Sequence, residues 1–226
     1  MGGEGKGPAK EEVIRRFHRL YYESEAWADT TWLGVRALKC PLDLWIYQEI
    51  LVHKRPELIV ETGTGLGGSA AFLASICDAI DCGRIITIDW RIMEGRPDHA
   101  RVTYVHGNST APQVVSQVES AVRPGERVMV ILDSAHERDH VLEELRTYGP
   151  LVTPGQYLIV EDTNVNGHPA RPEFGPGPME AVEAFLGEEL GRSFAVDPDC
   201  ERNLMTFNPG GYLIRRAPTP LDGAAR

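Results

Sequence analysis

The stretch Leu58-Ile59-Val60-Glu61-Thr62-Gly63-Thr64-Gly65-Leu66-Gly67-Gly68 decides the fold. An apolar strand runs into glycines, and a helical pattern from Ser69 to Ile80 follows. Glycines let backbone approach a ligand closely, and the helix N-terminus favours an anionic group. The spacing Gly63-x-Gly65-x-x-Gly68 alone is a weak signal, because dinucleotides and S-adenosylmethionine use the same geometry. Glu61 separates them. A carboxylate repels a pyrophosphate but suits the amino and sulfonium groups of S-adenosylmethionine. Asp89, closing the next strand, suits the ribose hydroxyls of either cofactor. No Tyr-x-x-x-Lys pair occurs, which disfavours one class of Rossmann dehydrogenase. The expected cofactor is therefore S-adenosylmethionine, held by Glu61, Gly63, Thr64, Gly65, Gly68, Ser69 and Asp89.

Outward from this loop, strand and helix alternate. Strands are expected at Leu58–Glu61, Arg84–Asp89, Val102–His106, Arg127–Asp133, Gln156–Asp162, Ser193–Val196 and Asn203–Arg215, the last with Asn208–Gly211 as a turn or bulge. Helices are expected at Ser69–Ile80, Thr110–Val122, His136–Tyr148 and Pro178–Leu190. Two more precede the loop, over about 10–26 and from Pro41 through Leu51. This is the pattern of an α/β, Rossmann-like domain with a mostly parallel seven-stranded sheet and helices on both faces. Ligands of such sheets bind at the carboxyl ends of the strands. Glu61, Asp89, Asp133, Glu161 and Asp162 all fall at strand ends, on one rim with the glycine loop.

If the strands ending in Asp133 and in Glu161-Asp162 are neighbours, three carboxylates converge. Unpaired, they would repel and raise one another's pKa. A bound cation resolves this, and oxygen ligands suit Mg2+, or Mn2+ as a substitute. Asp133, Glu161 and Asp162 are the expected metal ligands. His136, three residues after Asp133, is the expected proton acceptor; a backbone-bonded histidine at the start of a helix is the plainer alternative. His136-Glu-Arg-Asp-His140 also spells HExxH, the zinc peptidase motif. Its place directly after a buried strand argues for a chance match.

The chain has 226 residues, 42% hydrophobic and 25% charged, with a formal net charge of −10. That fits one α/β domain with a short extension. The acidic balance argues against nucleic-acid binding. No apolar run is long enough to cross a membrane. Cys40, Cys77, Cys82 and Cys200 form no CxxC pair, so free thiols and a cytoplasmic location are expected. The expected organisation is a flexible start (1–9), a helical lid or oligomerisation segment (10–56), the cofactor-binding domain (57–216) and a flexible tail (217–226).

Six runs carry a family resemblance: Thr31–Glu49 (TWLGVRALKCPLDLWIYQE), Val60–Ser69 (VETGTGLGGS), Val130–His136 (VILDSAH), Ile159–Pro169 (IVEDTNVNGHP), Phe174–Ala181 (FGPGPMEA) and Thr206–Tyr212 (TFNPGGY). Together they resemble the cephalosporin hydroxylase family, also called the rhamnosyl O-methyltransferase family, over about residues 12 to 215. The resemblance implies a class I S-adenosylmethionine-dependent O-methyltransferase with Mg2+ in the site, oligomeric, and acting in natural-product or glycolipid pathways such as antibiotic biosynthesis. It implies that Asp133, Glu161 and Asp162 hold the metal, and that Glu61, Gly63, Asp89 and the turn Gly107–Thr110 hold the cofactor. Asn108 and Ser109 belong to that turn, Ser109 near the adenine, and Asp133 borders the cofactor too. One departure is Ala135, where the family often carries a further acid.

The substrate is expected to be a small molecule with a free hydroxyl, a deoxysugar or a catechol-like diol. Lys39, Trp32, Asn164 and His168 are its candidate contacts. Tyr21, Tyr22 and Trp27 join Trp32 as a lid or, equally, as core or interface packing. Two other readings stand beside this one: a hydroxylase component, and a non-catalytic partner that binds S-adenosylmethionine. An iron hydroxylase would call for two histidines and one carboxylate.

Overall fold

The computed structural model describes residues 9–217; of the ends expected to be flexible, 1–9 and 217–226, all but residues 9 and 217 lie outside the described residues. The chain enters through helix α1 (Lys10–Glu23), a short hairpin of β1 (Thr31–Trp32) and β2 (Val35–Arg36), and helix α2 (Pro41–Lys54). Pro41 opens α2, where its missing N–H costs nothing. The main sheet follows, with its helices: β3 (Leu58–Thr62), α3 (Gly68–Ala79), β4 (Arg84–Asp89), β5 (Val102–His106), α4 (Pro112–Ala121), β6 (Val128–Leu132), α5 (Arg138–Tyr148), β7 (Tyr157–Val160), α6 (Pro178–Gly187), β8 (Phe194–Val196) and β9 (Tyr212–Arg215).

The seven strands lie in the order β5-β4-β3-β6-β7-β9-β8. All pairings are parallel except those of β9, which runs antiparallel to β7 and β8. The Rossmann-like sheet expected from the alternating pattern is the one found. β6 shows why its sequence is apolar throughout. Val128, Val130 and Leu132 pack on one face with α4, α5 and α6, while Met129 and Ile131 pack on the other with α2 and α3. A strand covered on both faces has no polar side to show. α2 thus belongs to the core of the sheet, through Ile46, Tyr47, Ile50 and Leu51.

Two expectations change. The last strand, expected over Asn203–Arg215 with a turn or bulge at Asn208–Gly211, pairs only from Tyr212, and the turn is where it was expected. Pro209 has no N–H to donate, and Gly211 lies so close to β7 that a Cβ there would stand 2.3 Å from the Val160 carbonyl. Residues 203–211 instead form a loop that returns over the strand ends. α5 begins at Arg138 rather than His136, which frees His136 from the helix.

Candidate active site

The order of strands reverses between β3 and β6, the place where open α/β sheets bind ligands. The two strand ends touch through backbone. A Cβ on Gly63 would lie 1.7 Å from the Asp133 carbonyl oxygen, so only glycine fits, and its φ of +85° asks for glycine as well.

The glycine loop forms one pole. Glu61 is sealed from solvent. Its Oε2 accepts from Thr87 Oγ1 at 2.6 Å, and the Thr87 hydroxyl meets that of Thr64 at 2.7 Å. Its Oε1 has no hydrogen-bond partner. Burial pushes the Glu61 carboxyl up, against the pull of Lys39, Ser69 and Thr87. A buried acceptor short of donors, beside a glycine cradle, fits the amino group of S-adenosylmethionine. Asp89 Oδ2 accepts from Gly65 N–H and from Arg96 Nη2, each at 2.9 Å, so Arg96 covers the expected ribose acid. Ser69 is buried with the loop. Ser109 is buried too, its Oγ 3.3 Å from His140 Nε2, whereas Asn108 turns outward and accepts from Thr110 N–H. Gly68 serves a contact not expected from sequence. A Cβ there would lie 2.2 Å from the Arg36 carbonyl oxygen, so the strap after β2 lies directly on the loop.

The acids form the other pole. β6 and β7 are parallel neighbours, as the acid reading requires. Ligand atoms of Asp133, His136 and Asp162 lie within 4.8 Å of one another, the only such group of three or more among the described residues. His136 Nε2 stands 3.3 Å from Asp162 Oδ2. Burial, opposed by Lys39 and reinforced by Glu161 and Asp162, pushes the Asp133 carboxyl up to about 7. Burial raises Asp162 also. Asp162 sits in the left-handed region at φ 54°, and its N–H is held by Asn208 Oδ1 at 3.0 Å. Strain of this kind persists only where the surroundings enforce it. The two carboxylates fit a divalent cation with open positions for water or substrate, and the His136 imidazole stands beside them.

Glu161 is not among these three. It is buried, its Oε1 taken by Lys39 Nζ at 2.5 Å and by the Tyr47 hydroxyl. Lys39, expected as an anion contact for substrate, instead bridges Glu161 and Asp133, the latter at 2.6 Å. The other expected substrate contacts are also engaged internally. Trp32 donates to Ser75 Oγ and stacks edge-on against Phe72. Asn164 Nδ2 lies 2.8 Å from His18 Nε2, and His168 Nε2 lies 2.9 Å from Glu180 Oε1. Tyr21, Tyr22 and Trp27 gather around Phe207, separate from Trp32, and burial, with Asp162 after it, raises the Tyr22 phenol. Thr87, Tyr47, Asn208 and Arg96 were not marked by sequence. Only Thr87, a lone polar residue inside an apolar strand, carried a readable signal.

The sequence matches the Rhamnosyl O-methyltransferase/CmcI family over residues 24–216. The chain belongs to that family. The rhamnosyl O-methyltransferase/CmcI membership agrees with the resemblance read from the six runs, and makes the chain an S-adenosylmethionine-dependent O-methyltransferase by class. It is similar to the rhamnosyl O-methyltransferase of Mycobacterium tuberculosis (strain H37Rv), 38% identical over 213 residues, 90% of this chain and 85% of the relative. That of Mycobacterium leprae (strain TN) is 36% identical over 91% of this chain and 92% of the relative. A solved CmcI structure with Mg and SAM superposes with a TM-score of 0.64 at 23% identity, over 84% of this chain and 78% of that one. MycE in complex with Mg, SAH and mycinamycin VI superposes at 0.59 and 17% identity, over 79% of this chain and 50% of that one. At these identities the superpositions speak for the fold.

Within this rhamnosyl O-methyltransferase/CmcI chain, the HExxH spelling resolves into two unrelated places. His136 precedes α5 and faces Asp162, while His140, on α5, faces Ser109, Ser134 and Glu144. One histidine and two acids also differ from the two histidines and one acid of an iron hydroxylase. A wide hollow between Glu57, Arg84, Arg101 and Glu126 lies where the strands begin, at the far pole, and two of its arginines are paired, as Arg84–Glu126 and Arg101–Asp81.

Proposed function

We propose that this chain transfers the methyl group of S-adenosylmethionine to a hydroxyl of a small natural product, a deoxysugar or catechol-like diol, with Mg2+ or Mn2+ at the acid pole, in bacterial secondary metabolism. The observation that carries this is Asp133. Its carbonyl closes the Gly63 cradle, and its carboxylate meets Asp162 and His136. A methyl donor in the cradle and an oxygen at the acids would therefore be neighbours, which is what in-line transfer requires.

Glu61 would receive the amino group of the cofactor, Asp89 the ribose, and the Asn108-Ser109 turn the adenine. Asp133 and Asp162 would hold the metal, with Glu161 the third acid at the same pole. A divalent cation bound there supplies Lewis acidity to a substrate hydroxyl. His136 Nε2 takes the hydroxyl proton at the edge of the cluster and leaves the oxygen free to attack. The substrate would arrive between the Tyr22 side of the aromatic group and the loop 162–177. The names of the mycobacterial relatives favour a deoxysugar over a diol.

No described helix is long and apolar enough to cross a membrane. The four free cysteines support a reducing, cytoplasmic setting. Val13, Phe17 and Leu20 leave an exposed apolar stripe along α1, which supports assembly with further copies of the chain.

The test is calorimetric titration with S-adenosylhomocysteine, with and without Mg2+, followed by labelled methyl transfer to a panel of rhamnosides and catechols. Binding, transfer to one class of acceptor, and loss of transfer in Asp133→Asn and Asp162→Asn are expected. Absence of S-adenosylhomocysteine binding, or full turnover in excess chelator, overturns the proposal.

A further inference from the structure

Lys39 is the buried charge that this chemistry leaves unused. Its side chain is 4% exposed, and its ammonium bridges Asp133 and Glu161 at 2.6 and 2.5 Å. The strap that carries it is fixed at several points. Ala37 N–H donates to the Thr30 carbonyl, and Thr30 Oγ1 donates back to the Lys39 carbonyl. Leu38 takes a left-handed φ of 55°, and the Arg36 carbonyl rests on Gly68. The ammonium, seated between the Asp133 and Glu161 carboxylates, places a positive charge inside the acid pole.

Three neighbouring carboxylates repel one another when nothing positive stands among them. Lys39 neutralises part of that charge with no metal present. Asp133 is the shared element, because it faces Lys39 on one side and the Asp162–His136 pair on the other. A dication and an ammonium on one carboxylate repel strongly at such distances. From this we infer that Lys39 is a resident counter-cation that competes with the divalent metal for Asp133. Metal loading is then an exchange, in which Lys39 gives up Asp133. The ion pair keeps the metal-free fold intact and lowers the affinity for metal. The inference rests on the metal site proposed above.

The experiment titrates Mn2+ alone into the full chain by calorimetry. It compares wild type with Lys39→Gln, Lys39→Met and Lys39→Arg, and records the melting temperature of each with and without metal. The two neutral variants should bind Mn2+ at least about tenfold more tightly, a modest share of the repulsion removed. Their metal-free melting temperatures should fall, and the rise on adding Mn2+ should grow. Lys39→Arg should stay near wild type. Should Lys39→Met fail to fold, Lys39→Gln, which keeps a polar head of similar reach, carries the comparison. Wild-type binding that Lys39→Gln leaves unchanged or weakens overturns the competition alone. Absence of binding in both overturns the metal site and the competition with it. Binding by Lys39→Gln where wild type binds none supports the competition in its strongest form.

Discussion

Glu61 and Glu161 stand at the carboxyl ends of neighbouring parts of one sheet, both sealed from water, and the chain satisfies them in opposite ways. Glu61 receives a hydroxyl on one oxygen and nothing on the other. Glu161 receives an ammonium and a phenol on a single oxygen. A buried acid that lacks donors is prepared for a cationic ligand, and its cost is met only when that ligand arrives. A buried acid supplied with its own cation stabilises the fold and must be released before it can bind anything else. The two poles therefore divide the work. The cofactor pole is preformed and incomplete, and the acid pole is complete and must be opened.

The sharpest way to break this contrast is Glu161→Gln, which leaves Lys39 with a lost partner. Unfolding in denaturant should show a loss of about 3–5 kcal/mol, and a change below 1 kcal/mol would place the pair among weak surface bridges. The next effect comes from His18, which ties α1 to Asn164 in the loop after Glu161. Burial lowers its pKa to about 4, whereas an unfolded chain protonates it near 6.5. The neutral ring is the folded form, so its contribution is present above about pH 6.5 and is lost as pH falls through about 4. That should remove on the order of 3 kcal/mol across the window, and His18→Phe should flatten the acid limb of stability against pH. A smaller loss, about 2 kcal/mol, is expected for Tyr47→Phe, which removes a hydrogen bond to a charged acceptor. The smallest change in stability belongs to Glu61→Gln, within about 1 kcal/mol of wild type, while affinity for S-adenosylhomocysteine should drop about tenfold to a hundredfold. If instead Glu61→Gln costs about 3 kcal/mol of stability or more and spares binding, the division between the poles is wrong.

The frame of the molecule was legible because it depends on short-range pattern. Apolar runs bounded by glycines and acids located the strands, and the end residues placed Glu61, Asp89, Asp133 and Asp162 on one rim. What could not be read is what reaches that rim from a distance in sequence. Lys39 is 94 residues from Asp133, and Tyr47 is 114 from Glu161. No periodicity links such positions. Asn208 holds Asp162 from a segment that reads only as a turn or bulge, which says nothing of what its side chain reaches. Trp32 looked like part of an aromatic lid by density alone, yet it packs on α3 through Phe72 and Ser75. Composition reports how many aromatics lie near one another in the chain, and only topology decides which face each one reaches.

The close approach of Gly63 to the Asp133 carbonyl has a bearing on how such a protein can change. The contact that joins the glycine loop to the acids is made wholly of main chain. It works as a ruler without a side chain to lengthen or shorten. Replacements in the segments before β3 or in the loop 162–177 can alter which molecule is presented and which of its hydroxyls comes forward. On the proposed reading, the spacing of the glycine loop from Asp133 stays the same for all of them. Variants selected for new acceptors should therefore accumulate changes at the mouth and leave this contact untouched.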